Sequence, residues 1–363
     1  MHSLFPLWSR CFAAALAFTC GAAAAELPAS RTEIPNAAQP QLAAGTDGRV
    51  WLAYGKAKDI YVTCSEDGGK SFAPAVKVAS APTLMLGMRR GPRIVAHGDR
   101  VTVTAITAEL IAFHSTDGGR TWSEPVTIND VPTSAREGLH DLAAGPDGRT
   151  FVTWLDLRNG KTEMFGAEST DGGRTWGKNE PIYRSPDKSI CECCHPTALF
   201  DAQGNLAVMW RNSIEGSRDM WMTTRPNGAK EFTPAKKLGE GTWKLTGCPM
   251  DGGKIVAVGD GKFGSVWQRA GEVFFAPAGG AEVLLGKGKQ PVAVGRGTEM
   301  FVLWQQGNDL VSATEVGKGE PTKLAADARF AVVVNLPGNR GTVLAYEQGP
   351  AKEKQPGIVV ERL

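Results

Sequence analysis

Apolar residues along this chain come in short alternating runs rather than in helical stripes. Each run leads through a D-G or Q-G turn into a second run that ends in an aromatic residue. The unit is clearest from Leu42 to Tyr54, Leu142 to Trp154, Thr197 to Trp210 and Ile255 to Trp267. Weaker versions run from Ile94 to Ala105, Val292 to Trp304 and Val332 to Tyr346. Two alternating runs joined by a tight turn predict paired antiparallel strands. Seven such units, spaced by roughly 40–57 residues, have the period of four-stranded propeller blades. The last unit is followed by one further run, Gly357 to Glu361, and so lacks an outer strand. Ser30 to Pro35 can supply it, which would join the two ends of the ring and remove its free sheet edges.

A second repeat lies between these units. Ser115-Thr116-Asp117-Gly118-Gly119-Arg120-Thr121-Trp122 recurs identically from Ser169 to Trp176, and with small changes from Ser65 to Phe72. A worn copy runs from Arg225 through Asn227-Gly228 to Phe232. The spacing suits a tight hairpin: the carboxylate accepts turn amides, the glycines supply positive φ, and the aromatic packs beneath. The motif therefore holds a turn and carries no chemistry of its own. It resembles the Asp-box, or BNR repeat, of sialidases and related proteins, which implies an all-β propeller. Sialidases themselves imply six blades, whereas the strand units favour seven. The 44 glycines fit many short strands and turns.

The N-terminus reads as a secretory leader. Arg10 precedes an apolar run from Cys11 to Phe18, and Ala22 to Ala25 form an A-x-A type cleavage site before Glu26. This predicts a signal peptide over residues 1–25 and one domain over 26–363, periplasmic or secreted. The apolar run is too short for a membrane span. A net charge of +2, from 40 basic and 38 acidic residues, gives no electrostatic case for nucleic acid or anionic lipid.

The candidate chemistry gathers in the links between units. By the sialidase-like arrangement, links into the innermost strands share one face with the ends of the second strands, and the Asp-boxes occupy the other. That places Arg89-Arg90, His140-Asp141, Asp156, Arg158 and Arg211 around one mouth of the central channel, as binding residues for a small molecule, a glycan or a protein. Simpler roles are open to each: Asp156 and Arg158 can form a loop ion pair, and His140-Asp141 can cap a strand. Trp154, Trp210, Trp267 and Trp304 follow the blade period, so they are core residues first.

Five cysteines follow the leader. Cys64 stands before an Asp-box and reads as a lone thiol. Cys191, Cys193, Cys194 and His195, with Cys248 about fifty residues on, would reach the same mouth from blades four and five. In an oxidising compartment they can form disulfides. A sharper reading is a metal site of thiolates with His195 and the Met250 thioether, a donor set that selects copper(I) or zinc. C-x-C-C departs from the usual C-x₂₋₄-C zinc spacing. A redox-active pair is the third reading.

A longer pattern surrounds these cysteines: Cys191-x-Cys193-Cys194, Trp210-Arg211, Gly216-x-Arg218-Asp219-Met220, Trp243, and Gly247-Cys248-Pro249-x-Asp251-Gly252. It resembles a group of exported bacterial BNR-repeat proteins of exo-sialidase type, which implies glycoside hydrolysis. Such an enzyme needs three arginines for the substrate carboxylate, an Asp acid/base, and a Tyr nucleophile activated by a Glu. Arg89, Arg90, Arg136, Arg158 and Arg211 offer the first, and Asp141 or Asp156 the second. None of Tyr54, Tyr61, Tyr183 and Tyr346 is well placed as the nucleophile. The family's R-I-P motif is absent, with only an echo in Arg31-Thr32-Glu33-Ile34-Pro35. The leading expectation is thus a binding or accessory propeller with a cysteine cluster at its mouth. An exo-sialidase type hydrolase comes second, and a protein-binding scaffold third.

Overall fold

The computed structural model describes Met1 and residues 30–259, 261–296, 299–313, 319–350, 352–353 and 355–363. The predicted leader lies almost wholly outside them. Seven four-stranded antiparallel sheets follow one another along the chain. Their innermost strands are Ala38–Ala44, Arg93–His97, His140–Ala144, Thr197–Phe200, Gly253–Gly259, Lys289–Arg296 and Ala328–Asn335. These begin blades one to seven. The unit count is therefore seven, not the six that sialidases suggest.

The ring closes as the strand pattern predicts. Arg31–Pro35 pairs antiparallel with Gly357–Arg362, Arg31 opposite Glu361 and Pro35 opposite Gly357. The seventh blade thus takes its outer strand from the opposite end of the chain. Opening the ring would expose both this strand edge and the packed face between blades seven and one.

Packing between blades follows the period-two alternation, with each sheet presenting apolar side chains to both neighbours. Trp154, Trp210, Trp267, Trp304 and Tyr346 recur on the second strands of blades three to seven, all of them buried. Core packing, rather than sugar stacking, accounts for these positions. The Asp-box turns have the predicted internal bonding. Asp117 Oδ1 accepts the amides of Arg120 and Thr121 at 3.0 Å each, while Oδ2 accepts the Thr121 hydroxyl at 2.6 Å. Gly118 N donates to Asp99 O at 3.0 Å. Asp99 lies in the turn between the first two strands of blade two, so the boxes share the face of those turns. The links into the innermost strands lie on the other face.

Candidate functional site

The channel is shaped by how each innermost strand begins. Four blades start with a residue-proline step: Gln39-Pro40, Gly91-Pro92, His195-Pro196 and Gln290-Pro291. An innermost strand has no partner on its channel side, so a missing proline N–H costs nothing there. In blades one, six and seven the strand start is bulged, with Gln39, Gln290 and Phe330 in the left-handed region at φ 57°, 55° and 52°. That conformation is uncommon without glycine, and a bulge re-aims the side chain it carries. The three residues converge near the axis. Gln39 and Gln290 were missed as candidates from the sequence, although the recurring residue-proline step was visible there.

Arg89 crosses this convergence. From the link before blade two it donates Nε to Gln290 Oε1 (2.7 Å), Nη1 to Ala331 O (2.9 Å) and Nη2 to Gln290 O (3.3 Å). It is 7% exposed and makes no ion pair among the described residues. Burial lowers its pKa to about 10, with the charge of Asp251 opposing the shift. Beside it Arg93 donates Nη2 to Arg89 O at 2.5 Å. Arg93 Nε stands 3.6 Å from Asp141 Oδ1, and Lys254 Nζ lies 3.7 Å from Asp141 Oδ2. Asp141 Oδ2 also accepts Ala198 N at 3.0 Å, joining blades three and four. These groups bound one end of a cavity of about 410 Å³ running between the innermost strands.

The other expected mouth residues divide. Arg90 is half-buried and donates to Glu137 O at 2.8 Å. His140 is fully buried with Nε2 3.0 Å from Thr104 Oγ1, and burial holds its pKa well below the ordinary value. Asp156 and Arg158 form the loop ion pair, two-pronged at 2.9 and 3.0 Å, away from the channel lining. Arg211 spends its guanidinium on three carbonyls, those of Asp251, Arg218 and Gln268. The structure thus brings Arg89 and Asp141 together at the channel and leaves Arg158 and Arg211 as struts. Arg93 and Lys254 take the places that were expected of them. No tyrosine lines the channel among the described residues. Tyr183 Oη accepts Asn212 Nδ2 at 2.8 Å and the ring packs on Trp210, while Tyr54 stacks on Tyr61.

The cysteines form a second feature beside the channel. Cys191 Sγ lies 3.7 Å from Cys193 Sγ and 3.6 Å from Cys194 Sγ. All three are buried, and Met250 packs against them. Arg211 positions both partners, since its carbonyl accepts Cys191 N and its Nε donates to the carbonyl of Asp251, next to Met250. Thiol contacts from Cys193 and Cys194 favour the thiolate at Cys191, and the same contacts keep Cys193 protonated. His195 and Cys248 do not join the sulfur cluster. His195 Nδ1 accepts Gly252 N at 3.2 Å, which leaves the ring at the channel wall. Burial and then the charge of Arg89 hold it neutral. Cys248 is exposed, and every cysteine among the described residues is free. Cys64 is the half-buried lone thiol expected, its pKa raised by burial to about 11.

A family model described as a BNR repeat-like domain matches residues 94–249, from the innermost strand of blade two to the link before blade five. That stretch is similar to a BNR repeat-like domain, and it lies within a seven-bladed β-propeller. No curated protein matches the sequence of the chain. Its fold is shared with solved structures of low identity. A protein of unknown function from Dyadobacter fermentans aligns at a TM-score of 0.54 and 15% identity, over 92% of this propeller and 96% of that chain. The Penicillium chrysogenum alpha-L-arabinanase complexed with arabinobiose gives 0.53 and 14%, over 91% and 96%. The polysaccharide lyase Uly1 gives 0.57 and 8%, over 87% and 88%. One fold therefore carries unlike chemistries, and the function of this propeller has to be argued from its own side chains.

Proposed function

We propose that this propeller is an exported binding protein whose Cys191, Cys193 and Cys194 hold one soft metal ion, copper(I) or zinc. The sulfur spacing carries the reading. Two thiolates on one tetrahedral ion, at metal–sulfur distances of ~2.3 Å, stand about 3.8 Å apart. The spacings at Cys191 are 3.6 and 3.7 Å, whereas a disulfide would need about 2.05 Å. Three sulfurs with the Met250 thioether beside them form a donor set soft enough to favour copper(I). When bound, the ion would supply the positive charge that lets more than one of these buried thiols ionise. Arg211 holds the two cysteine-flanking segments in place, and the bulk of blade four keeps water from the sulfurs. Export rests on the leader.

The test uses protein purified from the periplasm without reductant. Thiols open to alkylation are counted by intact mass before and after reduction, and metal is measured on the same sample. About one equivalent of copper or zinc, lost in Cys193→Ser while the domain stays folded, is the expected result. Fewer thiols before reduction than after, with no metal, would replace the metal site by a disulfide.

Glycoside hydrolysis of exo-sialidase type is the second reading, favoured by the fold shared with the arabinanase. A measured hydrolysis that Arg89→Ala abolishes and Cys193→Ser spares would promote it over metal binding.

A further inference from the structure

We infer that the central channel binds an aliphatic carboxylate of medium chain length, its headgroup against Arg89, Arg93 and Lys254 and its alkyl chain along the shaft. The inference is independent of the metal site. It begins from charge. A guanidinium has five N–H donors, and Arg89 places its bonds on one amide oxygen and two main-chain carbonyls, with no carboxylate among them. A buried cation left in that state is costly, and proteins ordinarily supply it a partner. The neighbouring cations share a single acid, Asp141, which lies 3.6 Å from Arg93 and 3.7 Å from Lys254. Asp251 also acts on Arg89 through its charge; its Oδ2 accepts Gln290 N and its Oδ1 has no partner among the described residues. Glu347 is spent on Gln39 and Arg329. Three cations against Asp141 and Asp251 leave an excess of one positive charge at this end of the cavity.

The shaft supplies the second half. Away from the cationic end it is walled by Leu42, Ile255, Val292 and Val332. It continues to Ala44, Ala257 and Gly295, where the innermost strands become half-exposed towards the Asp-box face. Apart from Gln41, Thr197 and Asn335 the side chains of this wall are apolar and offer a sugar few partners for its hydroxyls, which favours an alkyl chain over a glycan. An alkyl chain loses nothing polar there and gains by burial. Cationic end and apolar shaft together call for one amphipathic anion.

The experiment titrates the full mature protein with octanoate, acetate and octanol by calorimetry at neutral pH. Burial should strengthen binding by roughly tenfold for every two methylenes. Octanoate is therefore expected to bind at least a hundredfold more tightly than acetate. It should also bind at least tenfold more tightly than octanol, which lacks the charge. Arg89→Met should erase the preference for octanoate over octanol, and Val294→Trp, filling the shaft, should erase the preference over acetate. Acetate binding as well as octanoate would remove the shaft from the proposal, and octanol binding as well would remove the headgroup site. No heat from any of the three would overturn the whole. The three-ligand series decides this on unmodified protein, even if a variant does not fold.

Discussion

Arg158 and Arg89 are two arginines withdrawn from water in opposite ways. In blade three, Arg158 holds both oxygens of Asp156, reaches Asp130 at 2.9 Å and Asn179 at 3.0 Å, and lies over the Phe165 ring. Its acid is fully buried and also accepts the Trp154 indole N–H at 2.8 Å. Arg158, Asp156 and Asp130 are thus all paired. At the channel end Arg89 is buried more deeply, and its bonds go to neutral oxygens alone. A complete pair explains itself as a strut between loops. An incomplete one leaves charge facing a cavity, which is where a ligand gains most.

Breaking the complete pair should have the largest effect. Asp156→Ala leaves Arg158 with Asp130 as its one acid and the buried Trp154 N–H without its acceptor, and should cost about 3 kcal/mol of stability in urea unfolding. The same latch sets a pH dependence. Burial pushes the Asp156 carboxyl up, but hydrogen bonds from Arg158 and Trp154 outweigh it, so its pKa sits below the ordinary 3.8. The stability it contributes is thus fully present above that value and is lost as pH falls through the lower folded-state pKa. Urea midpoints measured from pH 5 downward should fall more steeply in the native protein than in Asp156→Asn.

Arg89→Met should behave in the opposite sense, leaving stability unchanged or raising it by about 1 kcal/mol, because an apolar side chain replaces a buried charge that bonds no carboxylate. A loss as large as that of Asp156→Ala would show that Arg89 is a strut of the same kind. The smallest effect belongs to an exposed turn. Asp117→Ala removes the acceptor of two amides and two hydroxyls and should cost about 1 kcal/mol. It should leave metal content and octanoate binding untouched, since the Asp-box stands at the periphery of blade two.

How much of this could be read from the residues depended on range. The blades announced themselves through alternation and the aromatic ending each second strand. Even the closing strand, Arg31–Pro35, was visible as an unpaired run needing an edge. The clustering of Cys191, Cys193 and Cys194 was equally open, because residues two and three apart in a turn cannot be far from one another. Cys248 and His195 looked like members by proximity to the same mouth. Their side chains go elsewhere because the Met250–Gly252 backbone turns Met250 inward and offers Gly252 N to His195. Arg211 looked like a ligand and proved to be a strut, since a guanidinium at a strand end meets carbonyls from three directions.

By itself, the order of apolar and polar residues determined the all-β class, the seven blades, the turns and the position of the thiols. Those features rest on local geometry, with period two along a strand and fixed φ at a turn. Which charged groups face one another was decided only when the ring closed. Arg89 meets Gln290 and Ala331, 201 and 242 residues away, and no local pattern encodes such a meeting. Closure brings seven strand starts to one axis, and the limited space there forces some side chains into pairs and leaves Arg89 without a carboxylate.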